Sequence, residues 1–92
     1  MTKMIELLGE KYELIRDDDC FQLEEVKEKI TDYFLPYDYI CGDYAYNKVR
    51  LKGFYDSNHK NAKERNDIKN LDHYIKDYCA YGSKIFLLKK AK

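Results

Sequence analysis

The chain has 92 residues, enough for one core, because a domain of this size buries roughly two-thirds of its unfolded surface and leaves nothing for a cleft between two domains. Seventeen Lys/Arg balance seventeen Asp/Glu, and a net charge of zero argues against strong, sequence-independent binding to nucleic acid, which grows with the counterions that basic residues release. No apolar run is long enough to cross a bilayer, the first residues lack a secretory h-region, and Cys20, Cys41 and Cys79 form no C-x-x-C pair, so no membrane partner and a reducing cytoplasm are expected.

Met4 to Arg16 (MIELLGEKYELIR) predicts a hairpin. Gly9-Glu10 as a type II′ turn places Ile5 opposite Leu14 and Leu7 opposite Tyr12 on one face. Met4, Glu6, Glu13 and Ile15 take the other face, which is expected to be solvated because Glu6 meets Glu13 there. Asp17-Asp18-Asp19 breaks the strand; the glycine and distal glutamate of a calcium loop are missing, so it reads as a solvated turn. Leu23, Val26, Ile30, Tyr33 and Phe34 then mark one helical stripe. Gln22 stands at the N-cap with Glu25 in reach of a capping-box contact, Phe21 can staple to Val26, and Pro36 ends the helix.

Residues 37–56 (YDYICGDYAYNKVRLKGFYD) predict two strands, 38–45 and 48–55, joined at Tyr46-Asn47. Pairing puts Tyr44 opposite Val49, Gly42 opposite Leu51 and Ile40 opposite Gly53 on an inward face. Tyr39, Cys41, Asp43, Arg50, Lys52 and Phe54 form the outward face, with Asp43 opposite Arg50. Residues 56–67 are polar, without period, and read as a loop. Ile68, Leu71, Ile75, Tyr78 and Cys79 make a second helical stripe, with Asn66 or Asp67 as its cap and Gly82 at its end. In SKIFLLKK, four consecutive apolar residues suit a strand covered on both faces, or a central one. The order ββαββαβ implies an α+β domain over residues 1–92: a mixed, mainly antiparallel sheet with two helices packed on one face and the other face open.

These strings carry a resemblance. DCF before a short acidic helix, YDYI-x-GD-x-AY, RLKGFYD and the closing LDHYIKDYCAYGSKIFLLKK are similar to the YutD-like family of small proteins from low-GC Gram-positive bacteria. The resemblance spans nearly the whole chain apart from the 57–66 loop. Family members often carry tryptophan where Tyr44 stands and glycine where Asn47 stands, both conservative departures for a sheet and a turn. The resemblance implies an α+β domain and brings no catalytic residues with it.

The chemistry must then come from the residues themselves. Residues 1–35 hold five basic against ten acidic residues, and 36–92 hold twelve against seven; the two parts can neutralise each other, or the second can meet a polyanion. Cys20, Cys41, Cys79, His59 and His73 are scattered and lack the close pairs of a structural zinc site, so no metal or other cofactor is expected. Cys41 beside Lys52 is the candidate nucleophile, yet no base accompanies it, and both histidines read as surface residues. The candidate binding surface is Tyr39, Asp43, Arg50, Lys52 and Phe54. The expected function is a non-enzymatic binding or regulatory module that holds a protein partner on this exposed sheet face, since Tyr, Arg and Phe supply interface hot spots. The alternative is single-stranded RNA or DNA stacked on Tyr39 and Phe54, with KGFY echoing a fragment of an RNP string. A small enzyme is the third reading.

Overall fold

The structure, a computed structural model, describes residues 3–17, 21–45, 48–78 and 84–91. Strands β1 (Lys3–Leu7), β2 (Glu10–Asp17), β3 (Tyr39–Ala45), β4 (Lys48–Phe54) and β5 (Ile85–Lys90) form one sheet in the order β1-β2-β5-β3-β4. All four strand pairs are antiparallel, so the sheet is not mixed; a parallel bridge between Tyr55 and Asp67 lies outside the strands. Helices α1 (Leu23–Lys29) and α2 (Leu71–Tyr78) complete an α+β fold.

The β1–β2 hairpin turns at Leu8-Gly9, not at Gly9-Glu10. Both residues have positive φ (54° and 78°), as a type I′ turn requires. The pairing therefore shifts by two residues, to Ile5 with Tyr12 and Leu7 with Glu10. An even shift leaves the faces unchanged, and it replaces the repulsive Glu6–Glu13 pair by Glu6 opposite Lys11 and Met4 opposite Glu13. The β3–β4 hairpin keeps the expected register throughout, from Tyr39 opposite Phe54 to Ala45 opposite Lys48. Its turn, Tyr46-Asn47, lies outside the described residues, as do Cys20, Cys79 and the expected helix-ending Gly82.

α1 is shorter than its stripe. Ile30 and Thr31, both β-branched, take extended backbone, and Asp32–Phe34 form a separate 3-10 turn ahead of Pro36. Tyr33 therefore leaves the buried stripe and is 66% exposed. Gln22 occupies the N-cap without a side-chain bond, so the capping box is not formed. Phe21 packs against the core cluster that includes Val26 and meets Phe86 edge-on, ring centroids 5.0 Å apart. At the second helix, Asp67 caps a 3-10 turn (Ile68–Asn70) by accepting the Lys69 N–H at 3.0 Å, and α2 continues from it.

The two helices cover opposite faces of the sheet, which corrects the expectation of one covered and one open face. On the first face, Val26 and Ile30 join Ile5, Leu7, Tyr12, Ile40, Val49, Phe86 and Leu88. On the second, Leu71 with Ile68, Tyr74 and Ile75 packs on Cys41, Phe54, Ile85 and Leu87. β5 is the spine of this arrangement: it sits between β2 and β3, and its residues 85–88 are buried in alternation on both sides. Gly42 and Gly53 make the first face close-packed. A Cβ on Gly42 would run into the Phe86 ring, and one on Gly53 into the Tyr37 ring.

α2 does not reach the β1–β2 end of the second face. There Met4 (52% exposed) and Ile15 (43%) remain uncovered. Ile15 is the extra residue where the β2–β5 register slips between Leu14 and Arg16.

Candidate functional site

The five expected surface residues are cross-strand neighbours, as predicted, but they do not share one exposed patch. Phe54 is completely buried and meets Tyr74 of α2 edge-on at 5.4 Å. Asp43 is only 2% exposed, and Arg50 clasps it with both Nε (3.3 Å) and Nη2 (2.5 Å). That geometry makes Arg50 first a counter-charge for a buried carboxylate, though half of its side chain still meets water. Cys41 is buried at 2%, under α2, so the candidate nucleophile is a core thiol. For Phe54 and Cys41 the reason is shared: the face read as outward is the floor beneath α2.

Lys52 and Tyr39 do reach the surface, in different places. Tyr39 borders a shallow hollow with Asp38, Asp56 and His59, and Lys89 Nζ lies 6.0 Å from its ring. Lys52 stands in a groove of about 560 Å³ between β4, the loop before α2, and the flank of α2. The groove also presents Glu64 and Arg65 from the loop and His73, Tyr74 and Asp77 from the helix. His73 Nε2 contacts Asp77 Oδ2 at 3.0 Å one turn along α2. Lys52 Nζ lies 5.6 Å from the Phe54 ring, so its stem crosses the floor and its charge faces the groove.

The loop that forms one wall is polar but well held. The Asp67 carboxylate accepts the Ser57 hydroxyl at 2.5 Å as well as the Lys69 N–H, and both bonds keep it below the usual carboxylate range. Asp38 Oδ2 accepts the Asp56 N–H, Asn66 Oδ1 accepts the Lys63 N–H, and the Asn70 amide donates to the Glu64 carbonyl. Arg65 is thus carried on a braced segment.

Sequence reasoning missed Arg65 and Tyr74. Tyr74 was legible: it lies three residues after Leu71 and belongs on the α2 stripe. Arg65 gave no periodic signal. A run of stacked rings was also missed. Tyr33 and Tyr37 share a hydroxyl–hydroxyl bond of 3.1 Å, Tyr37 lies over Tyr55 (4.6 Å), and Tyr55 stacks on His59 (4.3 Å). The Tyr33 hydroxyl bond, helped by partial burial, pushes the Tyr37 hydroxyl up to about 12. Among the described residues, no group of three or more His, Cys, Asp or Glu is placed to hold a metal ion, and no helix is long and apolar enough to cross a membrane.

Comparison with known proteins gives the same outline. Residues 6–89 match a family described as YutD-like, putative antitoxin YutD-like. The chain belongs to the YutD-like family. It is 38% identical over 90 residues to the putative antitoxin YutD of Bacillus subtilis (strain 168), an alignment covering 97% of this chain and 99% of that protein. It is also similar to the solution NMR structure of protein yutD from B. subtilis, with a TM-score of 0.79 at 37% identity, over 98% of this chain and 83% of that one. The family resemblance carried by the sequence motifs holds, and so does the α+β architecture that it implied.

Proposed function

We propose that this chain is a protein-binding module of the antitoxin type, which neutralises a partner protein by occupying part of its surface. The observation that carries this reading is the groove between β4 and α2. It sets an arginine (Arg65), a tyrosine (Tyr74) and a lysine (Lys52) around one concavity, beside the packed core of Phe54, Leu71 and Leu87. Arginine and tyrosine are the residue types most often found at the energetic centre of protein interfaces, and a pre-organised site loses little entropy on binding. The name given to the B. subtilis relative supports the same class of partner. The nucleic-acid alternative loses one of its two stacking rings, because Phe54 is buried, and the enzymatic one loses its candidate nucleophile with Cys41.

Immobilised chain, exposed to native lysate with and without nuclease, tests this. A protein captured in both cases, and lost when Arg65→Glu replaces wild type, is the expected result. That protein, expressed alone, should arrest growth, and co-expression of this chain should relieve the arrest. Retention that vanishes with nuclease, or a captured protein whose expression is harmless, would sink the antitoxin reading.

A further inference from the structure

The turn that leads into β3 holds two phenols in contact, away from the groove. Asp32–Phe34 is a 3-10 turn, closed by the Leu35 N–H on the Asp32 carbonyl at 3.1 Å. The Tyr37 N–H then donates to the Phe34 carbonyl at 3.2 Å, and Pro36 fixes one more backbone angle between these bonds. The braced turn sets Tyr33 beside Tyr37, with ring centroids 5.6 Å apart at 52° and hydroxyls 3.1 Å apart. Rings so placed form a V that narrows towards the oxygens. The carbons ortho to each hydroxyl sit at its narrow end.

The two rings differ in their surroundings. Tyr33 is 66% exposed, so a dissolved reagent reaches it directly. Tyr37 is held from behind: its ring fills the space that Gly53 leaves on β4, and it lies over Tyr55 at 4.6 Å. Its bond to Tyr33 keeps the Tyr37 hydroxyl protonated well beyond neutral pH, so the two phenols stay joined where a reagent would meet them. This pairing has a chemical consequence. A phenol that loses one electron and its hydroxyl proton becomes a phenoxyl radical, with much of its unpaired electron on the ortho carbons. Two phenoxyls held side by side combine before either meets another chain, because a fixed neighbour acts as a very high local concentration.

We propose that Tyr33 and Tyr37 form an oxidative modification site, at which a soluble one-electron oxidant joins the two rings as an intramolecular dityrosine. Each phenol gives one electron to the oxidant and one proton to water. The two phenoxyls then form an ortho–ortho carbon–carbon bond, and the two ortho hydrogens move to the oxygens as the rings regain aromaticity. In all, the protein loses two electrons and two protons, which equals two hydrogen atoms. The product is a biphenol that closes a covalent loop around Leu35 and Pro36. It fixes the turn that delivers the Tyr37 ring to Gly53. The site is independent of the protein-binding role proposed above.

The test exposes the full chain, at low concentration, to photo-oxidised tris(bipyridyl)ruthenium, with persulfate as the terminal electron acceptor. The expected product fluoresces as dityrosine, runs as a monomer on a denaturing gel and is lighter by two hydrogens. Trypsin cuts after Lys29 and after Lys48, Arg50 and Lys52. A 33–37 link therefore stays inside the single peptide 30–48 and suppresses fragment ions between those two positions, whereas a 37–55 link would join two peptides. Tyr33→Phe and Tyr37→Phe should each lower the intramolecular yield about tenfold. Tyr39→Phe and Tyr55→Phe should leave it unchanged. The cross-linked chain should keep or raise its thermal midpoint, since the rings already touch and the new loop restricts the unfolded chain. A yield unaffected by Tyr33→Phe, a link mapped to Tyr55, or chain dimers as the main product would each overturn the site. So would a lowered midpoint, which would mean that the rings must leave their native places to couple.

Discussion

The two hairpins of this domain have the same length of turn and the same antiparallel pairing, yet they live in different surroundings. β3–β4 is enclosed on both faces: α1 and the Tyr37 ring cover one, and α2 covers the other. β1–β2 is enclosed on one face only, and its second face shows Met4 and Ile15 to water. The contrast teaches where this chain keeps its stability and where its surface is free to vary. Buried two-sided strands tolerate little change, whereas the half-covered hairpin should absorb polar substitutions on its outer face.

Breaking the enclosed hairpin should have the largest effect. Phe54→Ala empties the centre of the second core and should cost about 4 kcal/mol, read as a lower urea midpoint at unchanged slope. Gly42→Ala drives a methyl into the Phe86 ring and should cost about 3 kcal/mol. A cost below about 1 kcal/mol for either would mean that the sheet of this hairpin is not tightly packed.

The open hairpin should respond differently. Leu8 holds a left-handed backbone that a β- or γ-branched side chain seldom adopts, and Asn-Gly is the favoured pair for this turn. Leu8→Asn should therefore raise stability by about 1 kcal/mol, measured by the same urea titration. Met4→Ser and Ile15→Ser should each change it by no more than about 0.5 kcal/mol. A loss as large as that of Phe54→Ala would show that the second face of β1–β2 is covered in solution.

The smallest effect concerns the tyrosine pair between these regions. Folding raises the Tyr37 pKa from 10.0 to about 12. The folded state then holds its proton more firmly than the unfolded one, so this contribution is complete below pH 10 and is lost as pH rises from there towards 12. Tyr33→Phe removes the main cause, and its thermal midpoint should fall less steeply across that window than wild type does.

How much of this was legible follows the same division. Strict alternation of Val49 and Leu51 with Lys48, Arg50 and Lys52 sets the faces of β4, and the register came from placing a two-residue connection between Ala45 and Lys48. In β1–β2, Gly9 marked a turn but not its place within it, because types I′ and II′ put glycine at different positions. The side on which α2 packs was not legible from α2, since a helical stripe says that a face is buried but not against what. The clue lay elsewhere: Ile85-Phe86-Leu87-Leu88 demands cover on both faces, which two helices on one face could not supply. Cover on both faces is what takes Phe54 and Cys41 out of the solvent. The groove was not legible because its walls come from β4, a loop and α2, and only the fold brings them together.

The place of β5 has a further consequence, for how the domain is made. Each hairpin closes over a few residues, and local contacts of that kind form quickly. The two hairpins do not pair with each other; β5, which follows both in sequence, lies between them and pairs with both. A ribosome that has released only the residues before Ile85 has therefore delivered two separate hairpins, each with its inner edge bare. Cooperative folding should begin only when Ile85–Lys90 emerges, and a chain stopped before it should melt without a sharp transition. Release of β5 is thus the step that joins the two hairpins into one sheet.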